Sequence, residues 1–245
     1  MQPHRCGSRR VKRTMEPDAP GNSRQFLRLP VEAILARHGM PVETWSGNTL
    51  PFGHINRMHS LERVFRVILP DRVTRRLTLG LARCWTVHPS TAHALFTLAR
   101  SLRPAVTFET GTYWGYATTF LAAAVADAPE AKVYTIDLAH ESGRYVPASL
   151  RDHIVFIRGE RGVTALARLC ESYHPTLFFQ DSVHDYDGVR SELSIVAPHL
   201  MPGGVIAVHD AIAPEVLQAL SELDVFDVFL VEGSDPQGLA VATKR

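Results

Sequence analysis

The sequence predicts an α/β protein built on an open, mostly parallel sheet of seven strands, with helices on both faces and a helical cap ahead of it. Two observations carry this. From residue 90 onward, short apolar runs bounded by turn residues alternate with segments of helical period. Successive runs also end in polar residues at their carboxyl side, namely Glu109, Asp137, Gly159-Glu160, Asp181, and His209 with Asp210. In open α/β sheets that edge is where ligands sit, so these residues are the candidate site.

Residues 1–25 carry Arg5, Arg9, Arg10, Lys12 and Arg13 without any apolar period, and read as a disordered basic tail in which Met15 is an alternative start. No hydrophobic region follows them, so they do not form a secretory signal. Residues 26–89 form the expected cap. Val31 to His38 reads as a short helix ended by Gly39 and Pro41. Two more helices, Leu61 to Leu69 and Val73 to Arg83, are separated by Pro70, and Trp45, Phe52, His54 and His59 read as cap and loop residues. Such a cap would shape a pocket or make a homo-oligomer contact.

Residues 90–245 form the main domain. Pro89-Ser90-Thr91 opens a helix with Leu95, Leu98 and Leu102 at helical spacing. Strands follow at about Val106–Phe108, Lys132–Ile136, His153–Ile157, Thr176–Gln180 and Val205–Val208. Helices lie between them at about Tyr116–Ala126, Val163–Tyr173 and the stripe Val189, Leu193, Val196, Leu200. A helix from Ala213 to Leu223 and two closing strands, about Val225–Val231 and Leu239–Thr243, complete the order.

Composition excludes several classes. A formal net charge of +1 gives no electrostatic case for nucleic acid. Cys6, Cys84 and Cys170 lie far apart, which argues against a disulfide framework or a structural zinc site and fits a reducing, cytoplasmic compartment. No apolar run reaches the length of a membrane span.

The densest information lies in 106–137, VTFETGTYWGYATTFLAAAVADAPEAKVYTID. A strand, a glycine-bearing loop, a helix and a second strand deliver Asp137 22 residues past Gly115. That is close to the roughly 20-residue offset of a ribose-binding acid in a nucleotide-binding βαβ unit. Gly111 permits a tight turn and close approach to a ligand, and Gly115 permits close packing of the helix on the strand. The loop reads E-x-G-x-x-x-G rather than G-x-G-x-x-G, with Glu109 at the strand end and Tyr113, Trp114 and Tyr116 around the turn. A carboxylate and aromatic faces suit a cation better than a pyrophosphate.

This loop resembles motif I of the class I S-adenosylmethionine-dependent methyltransferases, and the resemblance extends through FFQDSVHDYDGVRSELSIVAPHLMPGGVIAVHDA. That run is similar to the small-molecule O-methyltransferase-like branch with D-G-x-H-x-Y, P-G-G and H-D signatures. The matches are Asp181, His184, Tyr186, Val189, Leu193, Leu200, Pro202, Gly203, Gly204, His209 and Asp210, with Ser182 where that branch usually has glycine. The resemblance implies a Rossmann-like fold and S-adenosyl-L-methionine held by Glu109, Gly111, Tyr113, Gly115, Asp137, Gly159, Glu160 and Asp181.

A hydroxyl or amine acceptor must lose a proton. Either His184 or His209 acts as base beside Asp181 or Asp210, or Asp181, His209 and Asp210 hold a divalent cation, magnesium or manganese, that lowers the acceptor's pKa. The resemblance implies catalytic roles for Asp181, His184 and His209 and a small hydroxylated acceptor. Two alternatives stay open, a nicotinamide- or flavin-binding oxidoreductase and a non-catalytic relative that binds the nucleoside.

Overall fold

The computed structural model describes residues 26–43, 87–234 and 236–245. The tail, both expected cap helices within 61–83, and Trp45, Phe52, His54 and His59 lie outside the described residues. Within them, β1 (Leu27–Leu29), α1 (Val31–Arg37) and α2 (Pro89–Leu102) precede β2 (Val106–Thr110), α3 (Tyr116–Ala124) and β3 (Lys132–Asp137). A 3-10 turn at Ala148–His153 leads to β4 (Ile154–Arg158), α4 (Gly162–Cys170), β5 (Leu177–Gln180) and α5 (Tyr186–Val196). Then come β6 (Val205–His209), α6 (Pro214–Ser221), β7 (Phe226–Val231) and β8 (Leu239–Lys244).

The strands form one sheet in the order β1-β7-β8-β6-β5-β2-β3-β4, in which only β8 pairs antiparallel with its neighbours. All seven expected strands are present. The eighth, β1, adds an edge within a stretch expected to be helical: Leu27, Arg28 and Leu29 pair in parallel with Phe229, Leu230 and Val231. Its cause is tertiary, because the edge of β7 offers unpaired backbone groups that three residues of any pattern can meet.

Each sheet face buries its own apolar layer. On one face, Leu95 and Leu98 of α2 and Phe120 and Leu121 of α3 pack with Ile34 and Leu35 of α1. On the other, Leu166 and Leu169 of α4, Leu193 and Val196 of α5 and Leu220 of α6 pack on Phe108, Phe178 and Ile206. The stripe Val189, Leu193, Val196 and Leu200 is buried throughout, and each such side chain contributes about 1.5–3 kcal/mol.

The α2 helix starts where Pro89 and Ser90 predict: His88 is the N-cap, and its ring accepts from the Ser90 N–H. Strand order matters more than any single element for the site. The chain runs β2, β3, β4 toward one edge and then returns to place β5 on the far side of β2. The crevice above the β2 and β5 ends is therefore the topological switch point, where such sheets bind ligands.

Candidate functional site

On the β2–β3 side, the loop after β2 is shaped by backbone strain that neighbouring groups hold in place. Tyr113, at φ 45°, Asp210, at φ 52°, and Arg103 are the non-glycine residues with positive φ among the described residues, and the first two lie at this edge. Such conformations cost on the order of 1–3 kcal/mol and cluster at functional sites. The Tyr113 N–H donates to Asp137 Oδ2 at 2.6 Å, and the Ala139 N–H donates to Oδ1 at 2.8 Å. Asp137 thus joins the loop after β2 to the loop after β3, and a lone pair on each oxygen is left for a vicinal diol.

The two signature glycines are each pressed against a neighbouring segment. Gly111 has φ +90°, and a Cβ there would lie 2.1 Å from the Asp181 carbonyl oxygen, so the close approach is to the end of β5. At Gly115, φ +86°, a Cβ would lie 2.4 Å from Val146 Cγ2. The expected packing of helix on strand is corrected to packing of loop on loop. Backbone bonds from Gly143 N to Tyr113 O and from Tyr145 N to Trp114 O clip the same two loops together. Over this clip the Tyr113 and Trp114 rings stack at 4.9 Å, and the Arg144 guanidinium lies 4.8 Å from the Tyr145 ring centroid.

Glu109 differs from the charged group the loop predicts. Its side chain is fully buried, and Oε2 accepts from Thr118 Oγ1 at 2.6 Å and Thr135 Oγ1 at 2.5 Å. Burial pushes the carboxyl up to about 8, against the two threonine hydrogen bonds, so it is largely protonated at neutral pH. Its Oε1 is buried without a hydrogen-bond partner. Gly159, at φ +76°, donates its N–H to the Asp137 carbonyl and leaves room for the His140 ring. Glu160, expected in the same site, ion-pairs with Arg168 of α4 at 2.7 Å.

On the β5–β6 side, four expected residues meet. His184 Nδ1 lies 2.9 Å from Asp210 Oδ2, and His209 Nδ1 lies 2.9 Å from Asp181 Oδ1 and 3.3 Å from Asp210 Oδ2. His184 is the accessible imidazole, with 39% of its side chain exposed against 10% for His209. The hydrogen bond to Asp210 raises the His184 pKa, overcoming its desolvation. Burial raises Asp181, partly offset by His209. Asp210 goes the other way: its desolvation is outweighed by hydrogen bonds from both histidines, which hold it well below the usual carboxylate range.

A metal would find Asp181, His184 and Asp210 each offering a ligand atom, all within 4.8 Å of one another. This set has His184 where the sequence reading had His209. One nitrogen among the oxygens suits manganese better than magnesium, which prefers an all-oxygen shell.

The sequence reading missed two features. Glu192 of α5 is a buried acid beneath the site, accepting from Thr110 Oγ1 and Ser182 Oγ, each at 2.8 Å. The signal was its place at the i+3 position of the stripe begun by Val189, a slot that apolar residues otherwise fill. The second is the turn before β8. Its Gln237 and Gly238 carbonyls accept from the Ile212 and Ala211 N–H groups, bringing the turn beside exposed Ile212 at the site's rim.

Comparison with known proteins agrees with this geometry. Residues 108–211 match the model of a methyltransferase domain family, a span that takes in both halves of the site. No curated protein matches significantly. An O-methyltransferase from Bacillus cereus in complex with SAH is similar at 16% identity and TM-score 0.56, over 75% of this chain and 96% of that one. The O-methyltransferase TomG from Streptomyces achromogenes, in complex with SAM, is similar at 15% identity and TM-score 0.55, over 76% and 96%. The SAH-bound methyltransferase PaMTH1 from Podospora anserina is similar at 18% identity and TM-score 0.55, over 81% and 99%. Residues 108–211 are therefore similar to a methyltransferase domain, and the solved structures share the open α/β fold.

Proposed function

We propose that this chain transfers the methyl group of S-adenosyl-L-methionine to a hydroxyl of a small molecule. The observation that carries this reading is the meeting, at one switch point, of the Asp137-held loop and the acid–imidazole cluster, joined where Gly111 lies against Asp181. S-adenosylmethionine and its demethylated product, each bound in one of the similar structures above, support the cofactor.

When bound, the cofactor supplies an activated methyl on a sulfonium. The chain's residues fit such a ligand: Asp137 keeps lone pairs for the ribose diol, Gly111 lets the loop after β2 lie against the end of β5, and Glu109 Oε1 is a buried polar atom without a partner. Asp210 accepts from His184 Nδ1–H, which fixes the tautomer and leaves Nε2 as the base. The acceptor's hydroxyl proton passes to Nε2, and Asp210 stabilises the imidazolium. His209 braces Asp181 and Asp210 from the buried side. Positioning of the acceptor accounts for much of the remaining rate.

A second reading rests on the convergence of Asp181, His184 and Asp210. These residues would hold a divalent cation, which would supply Lewis acidity to lower the hydroxyl's pKa.

One assay separates them: release of S-adenosylhomocysteine from the purified protein with a panel of hydroxylated acceptors, with and without chelator. The base reading expects acceptor-dependent turnover that survives chelation and falls about 10²–10⁴-fold in His184→Ala with cofactor affinity retained. Loss on chelation with recovery on manganese supports the metal reading. Absence of S-adenosylmethionine binding in calorimetry overturns both.

A further inference from the structure

We propose that Glu192 is a positioning residue that sets the Asp181–His184 turn against the end of β2; the catalytic part of this inference rests on the methyltransferase reading above. Glu192 projects from α5 into the apolar layer and is 2% exposed. An acid there is costly unless its oxygens are satisfied, and the groups that satisfy it all come from the segments bearing the site. Thr110, which donates to Oε2, immediately precedes Gly111. Ser182, which donates to Oε1, immediately follows Asp181. Gln180, immediately before Asp181, donates its Nε2 to the Val183 carbonyl at 2.7 Å, one residue before His184, and its amide helps to lower the Glu192 pKa.

One buried carboxyl therefore ties the residue after Asp181 to the end of β2, while Gln180 braces the turn leading to His184. Burial pushes the Glu192 carboxyl up, opposed by the hydrogen bonds from Thr110 and Ser182 and by the Gln180 amide. Ser182 gains a reason here: its hydroxyl is the link that a glycine could not supply. Gly162 completes the arrangement, because a Cβ on this first residue of α4 would lie 2.0 Å from Glu192 Oε1. The helix can cover the carboxyl only without a side chain.

The geometry matters because misplacing a reacting group by about 1 Å costs on the order of 10²-fold in rate. An acid serving stability alone would change the melting temperature when altered and leave the turn's geometry in place.

The test uses the full chain with Glu192→Gln, Ser182→Ala and Gly162→Ala. Four quantities are compared: the thermal midpoint, cofactor affinity by calorimetry, kcat and KM, and the His184 imidazole carbon–proton NMR signal at one fixed pH. That signal is assigned by its loss in His184→Gln. Glu192→Gln and Gly162→Ala should displace the His184 signal and lower kcat about 10–100-fold, with cofactor affinity within about twofold. Ser182→Ala should do the same to a smaller degree. Folded Glu192→Gln with the wild-type His184 signal overturns the proposal. Should Glu192→Gln fail to fold, Gly162→Ala and Ser182→Ala decide on the same signal. Because that signal is read on the free protein, a wild type that methylates nothing would remove the O-methylation reading and leave this one still decided by NMR.

Discussion

At the scale of single residues, the site is a set of acids whose environments drive them apart. Asp210 is held ionised by its two imidazoles, while Glu109 is held protonated by burial. The Glu109 carboxyl titrates near 8 in the fold, against an ordinary value of 4.5 for a glutamate in water. Between those values the folded chain keeps a proton that the unfolded chain has released, so this group's effect on stability worsens as pH rises from about 4.5 through about 8. Glu109→Gln keeps the shape and removes the titration. Thermal melts across that window should show a smaller loss of stability with pH in the variant than in the wild type; parallel curves would remove Glu109 as the cause. Asp137→Ala should weaken S-adenosylmethionine binding by about 1.5–3 kcal/mol, the scale of a hydrogen bond to a charged group. Calorimetry checks this, and unchanged affinity would take Asp137 out of the ribose contact. Asp137, Asp181, His209 and Asp210 were legible because each follows or ends an apolar run, and His184 because it matches the D-G-x-H-x-Y signature. Glu192 was missed, since an acid in a helix ordinarily reads as part of its solvated face, although its place beside Val189 and Leu193 sets it on the apolar one.

Among elements, β2, its loop and α3 were legible almost residue for residue, because a buried strand and a glycine-bearing turn leave strong local marks. What the turn touches was not. The obstruction at Gly111 is the Asp181 backbone from the neighbouring strand, not only a ligand's space. Gly111→Ala must adopt φ +90° and accommodate a methyl against a carbonyl. It should both abolish cofactor binding and lower the thermal midpoint, read by calorimetry and by melting. A variant that melts like the wild type and binds normally would show that the loop relaxes without consequence. At the edge, β1 escaped the sequence reading because its three residues pair with β7 without any periodicity of their own.

For the whole molecule, the sequence announces alternation but not strand order, since pairing joins segments remote along the chain. The two closing strands were expected; that β8 would run antiparallel between β6 and β7 was not specified by any local feature. This reversal has a consequence for how such a protein can diversify. The turn that feeds β8 is brought to the rim beside Ile212, with Gly238 so near that a Cβ would lie 2.9 Å from Ile212 Cγ2. Lengthening a hairpin turn costs little in chain entropy, roughly 0.6 kcal/mol per doubling. Insertions in this turn would thus lie beside Ile212 while leaving every strand, the Asp137 junction and the imidazoles as they are. New acceptors could be acquired by loop grafting at the last hairpin, with the methyl-donor half inherited intact.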